Sequence, residues 1–79
     1  MIRLAGKSRL TKAELEEIRE NSGITNLQYE IVRLRYYDPN EYSIIKICDI
    51  LKISVGAYSH NLKKAELQID SYYNAKAAK

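Results

Sequence analysis

Apolar residues along this chain recur at helical spacings, and polar caps punctuate them. The first ten residues show no clear period. "TKAE" at 11 to 14 then has capping-box spacing: the Thr11 hydroxyl can accept from the Glu14 amide while the Glu14 carboxylate reaches back. This predicts a helix over 12 to about 20, ended by "NSG" at 21 to 23, where Gly23 can take the left-handed conformation. "TNLQ" at 25 to 28 repeats the signal with glutamine in fourth place. Leu27, Ile31 and Leu34 follow at i, i+4, i+7, so a second helix is expected to reach about residue 37. Pro39 in "DPN" stops it, because proline disfavours a helical residue before it and supplies no amide.

Ser43 can cap a short third helix, "IIKICDIL", with Ile44, Ile47, Cys48 and Leu51 on one stripe. An isoleucine-rich run also fits a strand; the length near eight and the spacing of Lys46 and Asp49 favour the helix. "KIS" makes a tight connection, and Ser54 caps a fourth helix to about residue 73. Val55, Tyr58, Leu62, Ala65, Ile69 and Tyr72 are spaced 3, 4, 3, 4, 3, a heptad-like seam. Its second half, Ile69 with Tyr72 or Tyr73, must pack elsewhere: against the first helix through Leu15 and Ile18, which otherwise lack a partner, or against a second copy; the first is the reading favoured here. The pattern therefore predicts an all-α fold: residues 1–10 a flexible basic arm, 11–73 a single four-helix domain, and 74–79 a frayed tail.

Size and composition narrow the function. A chain of 79 residues holds one domain with one modest core. It has no apolar run near 18 residues, no signal-peptide pattern and no lipidation motif, so a cytoplasmic protein with no membrane partner is expected. Cys48 is the single cysteine and reads as a buried thiol; His60 is the single histidine. Neither a disulfide nor a metal site can be built, and no cofactor is expected. No nucleophile with a base and no phosphate loop is visible, so the chain does not read as an enzyme. Its seven tyrosines, in a chain without Phe or Trp, supply the aromatic core bulk or else a sticky surface for a protein partner.

The net charge of +3 permits nucleic-acid binding without demanding it. Its distribution says more. Arg3, Lys7, Arg9 and Lys12 precede any acid, Glu14, Glu16, Glu17 and Glu20 cluster next, and Lys63, Lys64, Lys76 and Lys79 stand near the end.

Two helices joined by about three residues, the second led by a serine cap, make a helix-turn-helix. The second has an apolar face at Val55, Tyr58 and Leu62, and Gly56, Ala57, Ser59, His60, Lys63 and Lys64 opposite. Small residues at its start permit close approach to a duplex, and the exposed amides can meet a phosphate. The candidate DNA-binding residues are Ser54, Val55, Gly56, Ala57, Ser59, His60, Asn61, Lys63 and Lys64. Ser59, His60 and Asn61 can hydrogen-bond base edges or backbone, and the two lysines suit phosphates. A plain helical hairpin with a polar outer face fits the same pattern.

Residues 24–69, "ITNLQYEIVRLRYYDPNEYSIIKICDILKISVGAYSHNLKKAELQI", resemble region 4 of bacterial sigma factors. Ile31, Val32, Leu34, Arg35 and Tyr36 match its middle run. Ile47, Cys48, Ile50, Leu51, Ile53, Ser54, Val55, Gly56, Leu62 and Ala65 match its helix-turn-helix core. The helix-turn-helix is shared with response-regulator-type domains and resolvases; the "RLRYY" run tilts toward the sigma-like group. Three positions depart from the pattern: Lys52 stands where a turn glycine is common, Ala57 and Tyr58 replace a Thr-Val pair, and Asn61 stands where an arginine is frequent. The resemblance is to small stand-alone regulators of phages and mobile elements. It implies a transcription regulator that binds double-stranded DNA, with RNA polymerase as a second partner, as a monomer or weak homodimer. Two alternatives share the fold: a protein-interaction module that binds RNA polymerase or a sigma factor, and a phage DNA-packaging or recombination accessory.

Overall fold

Each helix starts on a side-chain oxygen. In the computed structural model, which describes residues 9–38, 40 and 42–77, Thr11 Oγ1 accepts from the Glu14 amide at 3.1 Å and opens α1, Lys12–Asn21. Thr25 Oγ1 accepts from the Gln28 amide at 3.1 Å and opens α2, Asn26–Val32. Both capping boxes are complete, with the Glu14 and Gln28 side chains accepting from the threonine amides at 3.0 Å. Ser43 opens α3, Ile44–Leu51, and Ser54 opens α4, Val55–Ala77. These four helices form an all-α domain with no strand among the described residues, and the isoleucine-rich run is helical. No helix is long and apolar enough to cross a membrane among those residues.

α2 does not end at Val32. It widens into a π-helical turn, Arg33–Tyr37, closed by the Asp38 amide donating to the Arg33 carbonyl at 3.0 Å. The turn matters because α2 lies between two apolar clusters. Ile31 and Leu34 join Ile47, Cys48 and Tyr58; Val32 and Tyr36 join Leu10, Leu15, Ile18, Ala65, Ile69 and Tyr73. The added residue in the turn serves both clusters at once. α4 runs about 35 Å at 1.5 Å per residue and spans both, with Leu62 packed against each. Leu15 and Ile18 meet Ile69 within this chain, as the unpartnered stripe on α1 required.

Four expectations need correction. The seam of α4 begins with Val55 exposed, at 50%, and ends with Tyr73 in the core and Tyr72 half-buried against it. A straight helix drifts about 20° per heptad from a 3.5 repeat, so after Ile69 the buried position falls at i+4. The helix continues to Ala77 instead of fraying at 74: Tyr72 Oη and Lys76 Nζ both donate to Glu17 Oε2 and tie its last turns to α1. Residues 78–79 lie outside the described residues. The end of the expected basic arm is also fixed, since Leu10 is buried and its amide donates to the Tyr36 carbonyl at 2.9 Å. Arg9 Nη2 donates to the Tyr37 carbonyl at 2.8 Å, so both residues satisfy orphan carbonyls where α2 ends. Residues 1–8 of that arm lie outside the described residues.

All seven tyrosines are buried or half-buried and supply the aromatic bulk of the core. Two glycine-type positions close the loops. Gly23, at φ +79, follows α1 where a Cβ would come within 3.0 Å of Gln68 Nε2. Lys52, at φ 56 and ψ 48, ends α3 in the left-handed region. There the Ile53 amide donates to the Cys48 carbonyl at 3.0 Å and the Lys52 amide to the Asp49 carbonyl at 3.3 Å, a Schellman closure.

Candidate nucleic-acid interface

The segment from α3 to the first half of α4 is held from inside. Tyr58, 2% exposed, sits on Ile31, Leu34, Ile47 and Cys48, and Ile53 and Leu51 cover the same cluster. The Schellman closure fixes the turn between the helices, and Cys48 Sγ approaches the Ser54 carbonyl at 3.8 Å. Ser54 Oγ accepts from the Ala57 amide at 3.0 Å, so α4 starts with an ordered first turn.

With Tyr58 facing inward, the other side of that turn faces solvent. Ser54, Val55, Gly56, Ser59, His60, Lys63 and Lys64 are exposed; Ala57 and Asn61 are half-buried. Asn61 Nδ2 donates to the Ala57 carbonyl at 2.9 Å, so its amide bonds back along the helix and that nitrogen is committed. Neighbouring positions on a helix diverge by about 100°, which parts the two lysines. Lys64 lines an open groove of about 400 Å³ with Gln28, Leu67, Gln68 and Ser71. Lys63 lies toward Ser59. The nine candidate residues thus form one exposed tract with Asn61 turned inward and Lys64 at its edge.

One further cation belongs beside this tract. The π turn presents Arg35 exposed, with its guanidinium 5.0 Å over the Tyr36 ring. Burial raises the pKa of the Tyr58 phenol, and the charge of Arg35 opposes that rise. Arg33, two residues earlier, is committed instead: it donates to Glu30 Oε2 at 2.6 Å and lies 4.0 Å from Asp38, and the Glu30 bond raises its pKa. No ion pair engages Arg35 among the described residues. The "RLRYY" run was the available signal for Arg35, but spacing alone does not separate a free arginine from a paired one.

The domain is electrically polarised along α4. Residues 44–64 carry Lys46, Lys52, Lys63 and Lys64 against the single acid Asp49. α1, with Glu14, Glu16, Glu17 and Glu20 against Lys12 and Arg19, packs through Leu15 and Ile18 in the cluster of Ile69 and Tyr73 near the other end, where Lys76 pairs with Glu17. No group of three or more potential metal ligands occurs among the described residues.

Comparison with protein-family models, with curated proteins and with solved structures finds no match to this chain.

Proposed function

We propose that this protein binds double-stranded DNA as a helix-turn-helix transcription regulator of the sigma region 4 type, with the first half of α4 entering the major groove. The observation that carries the reading is the division of α4 at Tyr58. One side is anchored in the core, and the other offers Gly56, Ser59, His60 and Lys63 to solvent on a rigid helix start. Val55 and Gly56 present little bulk, which suits close approach to base edges; Val55 offers an apolar contact of the kind that meets a thymine methyl group. Ser59 and His60 are hydrogen-bonding groups one turn on. Lys63 and Arg35 supply phosphate contacts that position the helix without reading sequence. The acidic α1, at the far end, is repelled by the duplex and favours approach by the basic end.

Titration of a nonspecific duplex over a salt series tests this. Binding should weaken linearly on a log-log plot. Replacing Lys63 and Arg35 together by Ala should lower the slope by about 0.9 for each phosphate no longer neutralised. Absence of duplex binding at low salt would leave the protein-interaction module as the better reading.

A further inference from the structure

The first two turns of α4 carry no fixed charge. From Ser54 to Leu62 the chain reads Ser, Val, Gly, Ala, Tyr, Ser, His, Asn, Leu, with no Asp, Glu, Lys or Arg. Tyr58 is buried toward the core, so His60 is the one exposed group there that can gain a charge near neutral pH. Its imidazole has no hydrogen bond and no ion pair among the described residues. On α4 the nearest charges are Lys63 and Lys64, three and four residues on and both exposed. Glu66 follows, and its carboxylate accepts from the Tyr36 hydroxyl at 2.6 Å. α2, its π turn and α3 pack on the Tyr58 side of this segment. They bring Glu30, Arg33, Arg35, Lys46 and Asp49, and Lys52 follows α3. Glu30 is taken by Arg33, and no carboxylate of these elements bonds to His60 among the described residues.

We propose that His60 takes up a proton when the chain binds a duplex, so that binding tightens as the pH falls from about 8 to about 6. The inference rests on the reading above, in which this part of α4 enters the major groove. A neutral imidazole has one donor and one acceptor nitrogen, and the charged ring has two donors. Phosphate oxygens and the N7 and O6 of guanine are all acceptors, so only the charged ring can meet them with either nitrogen. The dense negative charge of the duplex favours that charged form in the complex. The sign follows: the bound state holds the proton more tightly than the free state, so the gain is present at low pH and is lost as the pH rises. One added charge matters on this tract because its fixed cations are few. Asn61 supplies none, with its Nδ2 donating to the Ala57 carbonyl, and Lys64 lines the groove at the tract's edge.

Fluorescence anisotropy of a labelled duplex titrated with the full chain, at the same salt and at each of the two pH values, reads this directly. An imidazole that holds its proton about ten times more tightly in the complex strengthens binding roughly six-fold from the higher pH to the lower. The slope of log K against log salt should steepen at the lower pH by up to about 0.9, one further phosphate being neutralised. His60→Gln keeps a hydrogen-bonding side chain without the titration, and the six-fold gain should vanish. His60→Lys is charged at both pH values; it should also lose the pH dependence and should bind more tightly than His60→Gln. The amino terminus of a chain titrates in the same window, and any share it has persists in His60→Gln, so the difference from wild type isolates the imidazole. Thermal melts show that each variant remains folded, as substitution at an exposed position allows. Two results overturn the proposal: a wild type that binds equally at both pH values, or a pH dependence as large in His60→Gln as in wild type. Absence of duplex binding at both pH values would overturn the DNA reading itself, and this inference with it.

Discussion

The Tyr36 hydroxyl donates to Glu66 Oε2 at 2.6 Å, joining the π turn to the middle of α4 across 30 positions of sequence. Leu62, one turn before Glu66 on α4, packs against both apolar clusters. Tyr73 lies in the same cluster as Tyr36 and Tyr58 in the other, but their hydroxyls are buried without a hydrogen-bond partner among the described residues. The three tyrosines therefore contribute differently. Tyr36→Phe should destabilise by about 1.5–3 kcal/mol, the worth of a hydrogen bond to a charged acceptor. Tyr58→Phe and Tyr73→Phe remove an unpaired polar atom and keep the ring, so their stability should be unchanged or higher by about 1 kcal/mol. Urea denaturation of the three variants measures both effects. Equal losses at all three would contradict the hydrogen-bond assignment.

The same tyrosines set an alkaline limit on stability. Burial, first, pushes up the phenols of Tyr36, Tyr58 and Tyr73, Tyr73 to about 12, and the Glu66 bond raises Tyr36 further. The folded chain favours the neutral phenol, so this stabilisation is complete below the unfolded value near 10 and is lost as pH rises through the folded values. Denaturation midpoints should hold steady between about pH 8 and 9.5 and then fall. The fall should be shallower in Tyr73→Phe.

Lys52 carries a conformational cost that its backbone bonds do not need. Its left-handed dihedrals are disfavoured by roughly 1–2 kcal/mol for a residue with a Cβ. Lys52→Gly should keep the Schellman bonds and stabilise the protein by about 0.5–1 kcal/mol after the extra freedom of glycine in the unfolded chain is deducted. A lower urea midpoint for this variant would show that the lysine side chain contributes more than its dihedrals cost.

Gly56 separates folding from binding. A Cβ there would meet only Ser54 Oγ, at 3.9 Å, so nothing inside the chain requires glycine. Gly56→Ala should raise stability by about 0.5–1 kcal/mol through helix propensity alone. If the first turn of α4 approaches a duplex closely, the same change should weaken DNA binding. A variant that is more stable and binds equally well removes close approach at this position.

Ile69 tests the packing of α1 on α4. It is fully buried among Leu15, Ile18 and Tyr73. Ile69→Asp should cost about 3 kcal/mol or more, because it buries an unpaired charge, and in a domain of this size it should leave little folded protein at 25 °C. A thermal melt like that of wild type would show that α1 does not pack there.

Local chemistry made the helices legible. Thr11, Thr25, Ser43 and Ser54 cap as their sequence contexts indicate, since a cap depends on groups within three residues of it. Ile47, Cys48 and Tyr58 were equally readable as core from their spacing. The π turn was not, because it answers two packing surfaces on opposite sides of α2, and neither is written within "RLRYY". Tyr73 displaced Tyr72 because a seam counted as a strict heptad ignores helical drift. Leu10 escaped notice as an isolated apolar residue whose partners, Tyr36 and Val32, arrive from elsewhere in the chain. At the candidate interface, exposure of His60 and Lys63 followed from the helical face. The inward bond of Asn61 and the freedom of Arg35 depended on rotamers and neighbours that no spacing encodes.

Amide chemical shifts followed through a titration with duplex DNA test the central claim most directly. The account predicts that the largest changes fall on residues 54–60 and on Lys63, with smaller ones at Arg35, while the amides of α1 hold still. Shifts concentrated on α1 or on the groove at Gln28, Leu67 and Ser71, or no shifts at low salt, would contradict it.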